Sequence, residues 1–180
     1  MAIRDILPLG TQSLYEPSEL ITEFASDELD GWVKDMCDTM EAQGGVGLAA
    51  PQIGINKQIM IYGMPDGHPR RPELEAVPYR LCLNPVVEVI DDTLIEDGEG
   101  CLCAKELYGI LPRYSKVKMT YFNFEGAPRE IIADDYHARM IQHECDHLEG
   151  KLYFHRMTDM NNLGYREPIV AKLYQLLEAK

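Results

Sequence analysis

DDYHARMIQHECDHLEG, residues 134–150, is the segment around which we expect the rest of this chain to be arranged. Its two opening aspartates suit the N-terminus of a helix, where negative charge is stabilised, and Gly150 is typical of the residue that follows a helix. We therefore predict a helix that begins near Asp134-Asp135 and runs through His147 to Gly150. Its histidines and acidic residues make it the chemical centre of the chain.

Two further helices are predicted from apolar residues at helical spacing. The first covers about residues 27–43, with Ser26 as its cap and Gly44-Gly45 as its end. We interpret its apolar face as ordinary core rather than as a cofactor contact. The second opens near Glu167-Pro168 and is expected to dock by an apolar edge.

Strands are predicted where β-branched and aromatic residues form short runs between turn residues. These runs cover residues 58–62, 81–90, 116–124 and 129–132, and their shortness favours an antiparallel or mixed sheet. Residues 63–80 contain several prolines and an Asp-Gly pair, so we interpret them as a surface loop. The sequence has no internal repeat, which favours one domain.

The composition argues against several classes of protein. A formal net charge of -13 on 180 residues makes a general affinity for nucleic acid or anionic lipid unexpected. No apolar stretch approaches the roughly 20 residues that cross a bilayer, and the N-terminal region is too acidic for a transit peptide. Five cysteines at low density do not indicate a disulfide framework. We therefore expect a cytoplasmic protein whose thiolates are free to bind metal.

His143-Glu144-Cys145-Asp146-His147 is an H-E-x-x-H sequence. On a helix its two histidines, four residues apart, project from one face about 6 Å apart along the axis, so both can reach one ion. Glu144 lies near enough to that face to accept a proton from a water on the ion without binding the ion itself. The segment therefore predicts a metal centre in which Glu144 moves protons.

A third protein ligand is needed, because catalytic ions usually have three protein ligands and a water. The metzincin pattern fails, since Tyr153 stands where its third histidine would be. Glu167 is a weak candidate beside a proline. Cys101, in the segment Glu99-Gly100-Cys101-Leu102-Cys103, offers a thiolate next to a glycine that permits close approach. If Cys103 also bound, the result would be a closed Cys2His2 site without a catalytic water.

Three segments together resemble the signature motifs of peptide deformylases, in the same order and at similar separations. They are Gly45-Val46-Gly47-Leu48-Ala49-Ala50-Pro51-Gln52, Glu99-Gly100-Cys101-Leu102 and Gln142-His143-Glu144-Cys145-Asp146-His147. The resemblance extends from Ile3 to about Tyr153. It implies an α+β fold with mixed, mostly antiparallel β-sheets around a central helix that carries the H-E-x-x-H motif, plus N-terminal and C-terminal helices. Residues 1–180 are then expected to form a single peptide deformylase-like catalytic domain.

The resemblance also implies a metal-dependent mechanism. Carried over by position, Cys101, His143 and His147 would bind one divalent ion. Fe2+ is the ion expected in the cell, with Zn2+, Ni2+ or Co2+ as replacements. In the family, metal-bound hydroxide attacks the formyl carbon, and the residue at the position of Glu144 serves as general base and then as general acid.

The substrate implied is the N-formyl group on the initiator methionine of newly synthesised polypeptides, which is released as formate. The Gln52 side chain and the Leu102 backbone N–H would hold the formyl oxygen as two preset donors. Val46, Gly47 and Gly100 would bind the peptide as an added strand, with Val46 and Leu102 near the methionine pocket. The expected partners are N-formylmethionyl nascent peptides and, transiently, the ribosome. No specific nucleic acid and no membrane partner are expected.

Cys103 departs from the resemblance, because the second motif usually ends in serine. We interpret it as a structural substitution, rather than a fourth ligand, that adds an oxidisable thiol near the site. Glu99, Asp146 and Arg113 are candidates to orient the ligating histidines, although Asp146 could equally be an exposed helix residue. Two competing hypotheses are an H-E-x-x-H endopeptidase that depends on Glu167 and a noncatalytic fold held by a Cys2His2 ion.

Overall fold

A computed structural model describes residues 2–69 and 74–178 of the chain. Short 3-10 turns connect several of its helices and strands, and two of these turns, Ala50–Ile53 and Leu102–Ala104, lie at the candidate site. The predicted α+β class is confirmed. The helices and strands are α1 (Asp27–Ala42), β1 (Gly47–Ala49), β2 (Ile59–Met64), β3 (Val77–Gly100), β4 (Leu107–Phe122), β5 (Pro128–Asp134), α2 (Asp135–Leu148), β6 (Leu163–Tyr165) and α3 (Arg166–Glu178).

The strands that the structure describes form one antiparallel sheet in the order β1-β2-β3-β4-β5, with β6 paired to β4. Within the described residues β1 pairs only with β2, so its other edge is open. β3 and β4 form a long hairpin in which Leu83 lies opposite Phe122 and Gly100 lies opposite Tyr108. The end of this hairpin carries the segment that begins at Glu99.

The two longer helices cover opposite faces of the sheet. Met60 and Tyr62 of β2 pack in an apolar cluster with α2, whereas Ile59 and Ile61 pack in a second cluster with α1. Successive side chains of a strand point to opposite faces, so this alternation places one helix on each side. Most of α2 is buried, as expected for a central helix.

The helix boundaries agree with the prediction to within about two residues, as is usual for helix ends. Ser26 caps α1, because its hydroxyl oxygen accepts a hydrogen bond from the Leu29 N–H at 3.2 Å. Gly150 follows the end of α2 with a φ of 71°, a left-handed conformation that glycine adopts without strain. α3 opens at Arg166, next to the predicted start.

The strand boundaries were predicted less well. β3 covers residues 77–100 rather than 81–90, and β4 covers residues 107–122 rather than 116–124. The interpretation of residues 63–80 as a loop is wrong at both ends, because β2 continues to Met64 and β3 begins at Val77. Residues 70–73 of that segment lie outside the described residues.

Length and polarity rule out a membrane-crossing role for every helix in the described part of the chain. The described helices and strands pack together in two large apolar clusters and two smaller ones. Each cluster contains residues of the sheet. That residues 1–180 form a single catalytic domain stays a prediction.

Candidate active site

The structure brings together the three residues that the sequence analysis proposed as metal ligands. Cys101 directly follows β3, and His143 and His147 lie one turn apart on α2. One ligand atom from each residue lies within 4.8 Å of the other two. Cys101 Sγ is 3.3 Å from His147 Nε2. This is a possible metal site of the Cys-His-His kind.

The environment of the two histidines suits a divalent cation. His147 is 2% exposed, and its Nδ1 has no hydrogen-bond partner among the described residues. Burial, followed by the neighbouring His143, lowers the pKa of His147 well below its usual range, so its ring is in the neutral form that binds metal. His143 Nδ1 lies 2.8 Å from Glu99 Oε2, which leaves Nε2 as its coordinating atom. Two imidazole nitrogens and one cysteine sulfur are a donor set that fits iron or zinc.

Glu99 is a buried carboxylate that connects His143 to two arginines. Arg113 donates to it from Nε and Nη2 at 2.9 and 3.0 Å, and Arg139 donates from Nη1 at 2.7 Å. Burial alone would raise the pKa of Glu99, but the charge of Arg113 and the hydrogen bond from His143 hold it well below its usual range. The ionised carboxylate therefore fixes the orientation of the His143 ring.

Asp146 is buried, which decides between the two interpretations that the sequence left open. It is 3% exposed, and its carboxylate accepts hydrogen bonds from Arg113 Nη1 and Arg156 Nη2, both at 2.5 Å. Asp146 therefore holds the arginine that in turn holds Glu99. It supports the histidine indirectly.

Glu144 lies beside the candidate ligands and is 6% exposed. Its Oε2 has no hydrogen-bond partner in the described part of the chain, and burial raises the pKa of its carboxyl to about 7. Gly47 of β1 packs directly against it, since a Cβ built on Gly47 would lie 2.1 Å from Glu144 Oε1. A carboxyl that exchanges protons near neutral pH suits general acid–base chemistry.

Gln52 is held with its amide nitrogen against the candidate ligand Cys101. Its Oε1 accepts a hydrogen bond from the Ala49 N–H at 2.7 Å, so its Nε2 faces the sulfurs of Cys101 and Cys103 at 3.4 and 3.5 Å. Leu102 opens the 3-10 turn after Cys101, and the first N–H groups of a helical turn have no partner within that turn. Both groups predicted to bind the formyl oxygen therefore lie next to a candidate ligand.

A cavity of about 410 Å³ opens beside these groups. Val46, Gly47 and Gly100, the predicted peptide-binding residues, all line it. The helical spacing of positions 136, 139, 140 and 143 could have identified one wall of the cavity in the sequence. The lining residues that the sequence analysis missed include His68, Tyr108, Tyr136, Arg139, Met140 and Arg166.

The alternative ligands do not join the site. The described side chains that could share an ion include Cys101 and the two helix histidines but not Cys103. Glu167 is exposed in the first turn of α3 and does not line the cavity. His137 and His155 make hydrogen bonds to other partners. The geometry therefore favours the open Cys-His-His site over a Cys2His2 site or one completed by Glu167.

Relatives of known family align with most of the length of this chain. A family model described as polypeptide deformylase matches residues 3–163. Peptide deformylase 2 of Pseudomonas syringae pv. tomato is 42% identical over 170 residues, which cover 92% of this chain and 93% of that protein. Peptide deformylase 2 of Ralstonia nicotianae is 40% identical over 171 residues, which cover 95% of this chain and 96% of that protein.

Solved structures show the same fold. The Met-Ala-Ser-bound class I type b peptide deformylase of Acinetobacter baumannii has a TM-score of 0.82 at 29% identity, over 87% of this chain and 99% of that chain. The peptide deformylase of Thermotoga maritima has a TM-score of 0.77 at 30% identity, over 88% of this chain and 100% of that chain. With the family model and these relatives spanning most of its length, the chain belongs to the polypeptide deformylase family.

Proposed function

We propose that the cavity beside Cys101, His143 and His147 hydrolyses the formyl amide of N-formylmethionyl peptides and releases formate. The chain belongs to a family of metal-dependent hydrolases that remove this group from newly synthesised polypeptides. The observation that carries the proposal is the position of Glu144. Its buried carboxyl, whose pKa burial raises to about 7, lines the cavity next to the candidate ligand His143.

The three candidate ligands would hold one divalent ion, which we propose to be Fe2+ in the cell and replaceable by Zn2+, Ni2+ or Co2+. The ion, when bound, would supply Lewis acidity by lowering the pKa of water and polarising the formyl carbonyl. Cys101 would contribute a thiolate and the two histidines neutral rings. Glu99 would keep the proton of the His143 ring on Nδ1, so that Nε2 is available to the ion.

Glu144 would take a proton from the attacking water and deliver it to the leaving amine. Burial raises the pKa of this carboxyl, which favours its taking a proton in the first step and holding it for the second. Oε2 has no partner among the described residues, so it is available to carry the proton. Gly47 allows the carboxylate to lie directly against the edge strand where a peptide would bind.

Gln52 Nε2 and the Leu102 N–H would stabilise the formyl oxygen as negative charge develops on it. The Ala49 N–H holds the Gln52 amide in one orientation, at 2.7 Å, so no reorientation is needed during the reaction. Preset donors of this kind are typically worth about 10²–10³ in rate for each donor.

The peptide would bind by adding a strand at the open edge of β1. The Gly63 N–H donates to the Val46 carbonyl at 2.8 Å, so the backbone groups of Val46 face β2. Backbone groups of the next residue in a strand point the opposite way, which directs those of Gly47 to the open edge. Gly47 would therefore bind the peptide backbone, and Val46 would contribute its side chain to the cavity.

N-formylmethionyl chains emerge from ribosomes, so we propose that the enzyme works in the cytoplasm and meets the ribosome transiently. The mixed charges of α3 give no strong electrostatic reason for that helix to contact RNA. The contact therefore follows from the proposed substrate and not from the charge of α3.

The test is formate release from formyl-Met-Ala-Ser by anaerobically prepared, iron-loaded protein and its Glu144→Gln variant. We expect the variant to bind iron as the parent does but to lose at least about 100-fold in kcat, the usual effect of removing a general base. Iron-loaded parent protein without deformylase activity would rule out the proposed reaction. Full activity in Glu144→Gln would rule out the role of Glu144.

A further inference from the structure

Two thiols of the active site face one common atom. Cys101 Sγ and Cys103 Sγ lie 3.4 and 3.5 Å from Gln52 Nε2, which places both sulfurs on the same side of the backbone. The sulfurs are therefore neighbours, although Leu102 separates the residues in sequence.

The two thiols differ in access. Cys101 is half-buried and lines the cavity, whereas Cys103 is 5% exposed and does not line it. Cys103 is also outside the group of three candidate ligands, so its sulfur is not committed to the ion. A small oxidant that enters the cavity would therefore meet Cys101 before it could reach the more buried Cys103.

The remaining cysteines are placed elsewhere. Cys82 and Cys145 belong to the apolar cluster between the sheet and α2, where Cys145 donates to the sulfur of Met60 at 3.6 Å. Cys37 lies on α1 and is exposed. Among the described cysteines, Cys103 is thus the one whose sulfur shares the Gln52 Nε2 contact with Cys101.

From this juxtaposition we infer that Cys103 is a resolving cysteine, which captures an oxidised Cys101 as a reversible disulfide. A hydroperoxide, whose O–O bond breaks, transfers one oxygen to the Cys101 sulfur and leaves as an alcohol or water. The Cys103 sulfur then attacks the Cys101 sulfur, the S–O bond breaks, and water leaves with the Cys103 proton. The two sulfurs together lose two electrons, and the peroxide gains them.

The reversible bond would protect the candidate ligand. Without a neighbouring thiol, a second peroxide can convert a sulfenic acid to a sulfinic acid, which ordinary thiols do not reduce. A disulfide between residues two apart closes a small ring with limited freedom to reach relaxed geometry, so thiols should open it readily. Because this inference rests on the proposed role of Cys101, oxidation should also release the metal ion.

The experiment compares zinc-loaded Cys37→Ser protein with the Cys37→Ser/Cys103→Ser double variant, since removal of Cys37 prevents disulfides between molecules. Each is treated with hydrogen peroxide and followed by intact mass, peptide mapping and zinc release. We expect the single variant to lose about 2 Da, to link Cys101 to Cys103 and to release its zinc. Dithiothreitol should restore both thiols. The double variant should instead gain about 32 Da at Cys101, without recovery.

Three outcomes would overturn the inference. The first is that Cys101 of the Cys37→Ser protein gains oxygen and the protein does not lose about 2 Da. The second is a disulfide that maps to Cys82 or Cys145. The third is that dithiothreitol restores the Cys101 thiol equally well in both proteins. A Cys101–Cys103 disulfide that forms without zinc release would support the pairing and contradict the proposed ligand role of Cys101. Failure of the inference and failure of the proposed function can thus be told apart.

Discussion

Gly47 leaves no space for a side chain between β1 and the carboxylate of Glu144. A Cβ at this position would lie 2.1 Å from Glu144 Oε1, at the far end of a flexible side chain. Gly47→Ala should therefore displace the carboxylate without unfolding the sheet. We expect a loss of at least about 100-fold in kcat with unchanged metal content, because the general base is moved.

The matched control for this change is Gly45→Ala. Its new Cβ would meet no atom closer than 3.3 Å, so neighbouring side chains need to move by only a few tenths of an ångström. Formate release and metal analysis on both variants measure the effect. Equal activity in Gly47→Ala and Gly45→Ala would show that the position of the Glu144 carboxylate is not limiting.

Some site residues could be predicted from the sequence and others could not. The difference is whether the residues that act together lie close to one another along the chain. His143, Glu144 and His147 are local to one helix, so their spacing alone predicts a shared ion. The contact of Arg139 with Glu99 joins residues 40 positions apart, and no local pattern contains it. The burial of Asp146 was likewise left open, because it depends on Arg113, 33 positions away.

Helix α1 anchors the N-terminal segment through Asp35. The carboxylate of Asp35 accepts hydrogen bonds from the Ala2 N–H at 2.9 Å and from Arg4 Nε at 2.7 Å. The Ala2 bond first, and then Arg4, lower the pKa of Asp35 from its ordinary value of 3.8. A lowered folded-state pKa means that the ionised carboxylate stabilises the fold above this ordinary value, and that the contribution is lost as the pH falls through the folded-state pKa.

We therefore expect Asp35→Asn to lose about 1–2 kcal/mol of unfolding free energy at neutral pH, the cost of removing charged hydrogen bonds. The difference from the parent should begin to shrink as the pH falls below about 4, and it should vanish as the pH falls through the lowered folded-state pKa of Asp35. Urea unfolding at a series of pH values measures both. Asp30→Asn, at an exposed pair with Lys34 on the same helix, should cost less than about 1 kcal/mol. A constant difference at all pH values would exclude the charge of Asp35 as the cause.

The helices were predictable and the long hairpin was not, for a physical reason. α1 carries its own cap and apolar periodicity, so its bounds follow from local residues. Residues 91–100 of β3, with the sequence DDTLIEDGEG, have the acidic and glycine content of a turn. They are extended because residues 108–116 of β4 pair with them. Pairing between distant segments overrides local preference in such strands.

At the scale of the whole molecule, the active site lies where the sheet, its long hairpin and α2 meet. α2 supplies both histidines and Glu144, while β3 leads into Cys101. Their relative positions depend on contacts that cross between these elements. Arg139 makes four such contacts, with Ile95 O at 2.5 Å, Asp97 O at 3.5 Å, Leu111 O at 3.2 Å and Glu99 Oε1 at 2.7 Å.

Arg139→Leu tests whether this connection holds the molecule together. Arg139 is 4% exposed. Removal of its guanidinium would leave backbone carbonyls of both hairpin strands and part of the Glu99 charge without a donor. Loss of one partner from a buried charged network typically costs about 3–5 kcal/mol. Arg156→Leu is the matched control, because the Arg156 side chain is 42% exposed and Asp146 keeps Arg113 as a partner. We expect it to cost less than about 1 kcal/mol in urea unfolding at equal metal content. Equal losses in the two variants would mean that the hairpin and α2 are held by apolar packing alone, and that Arg139 is only a lining residue of the cavity.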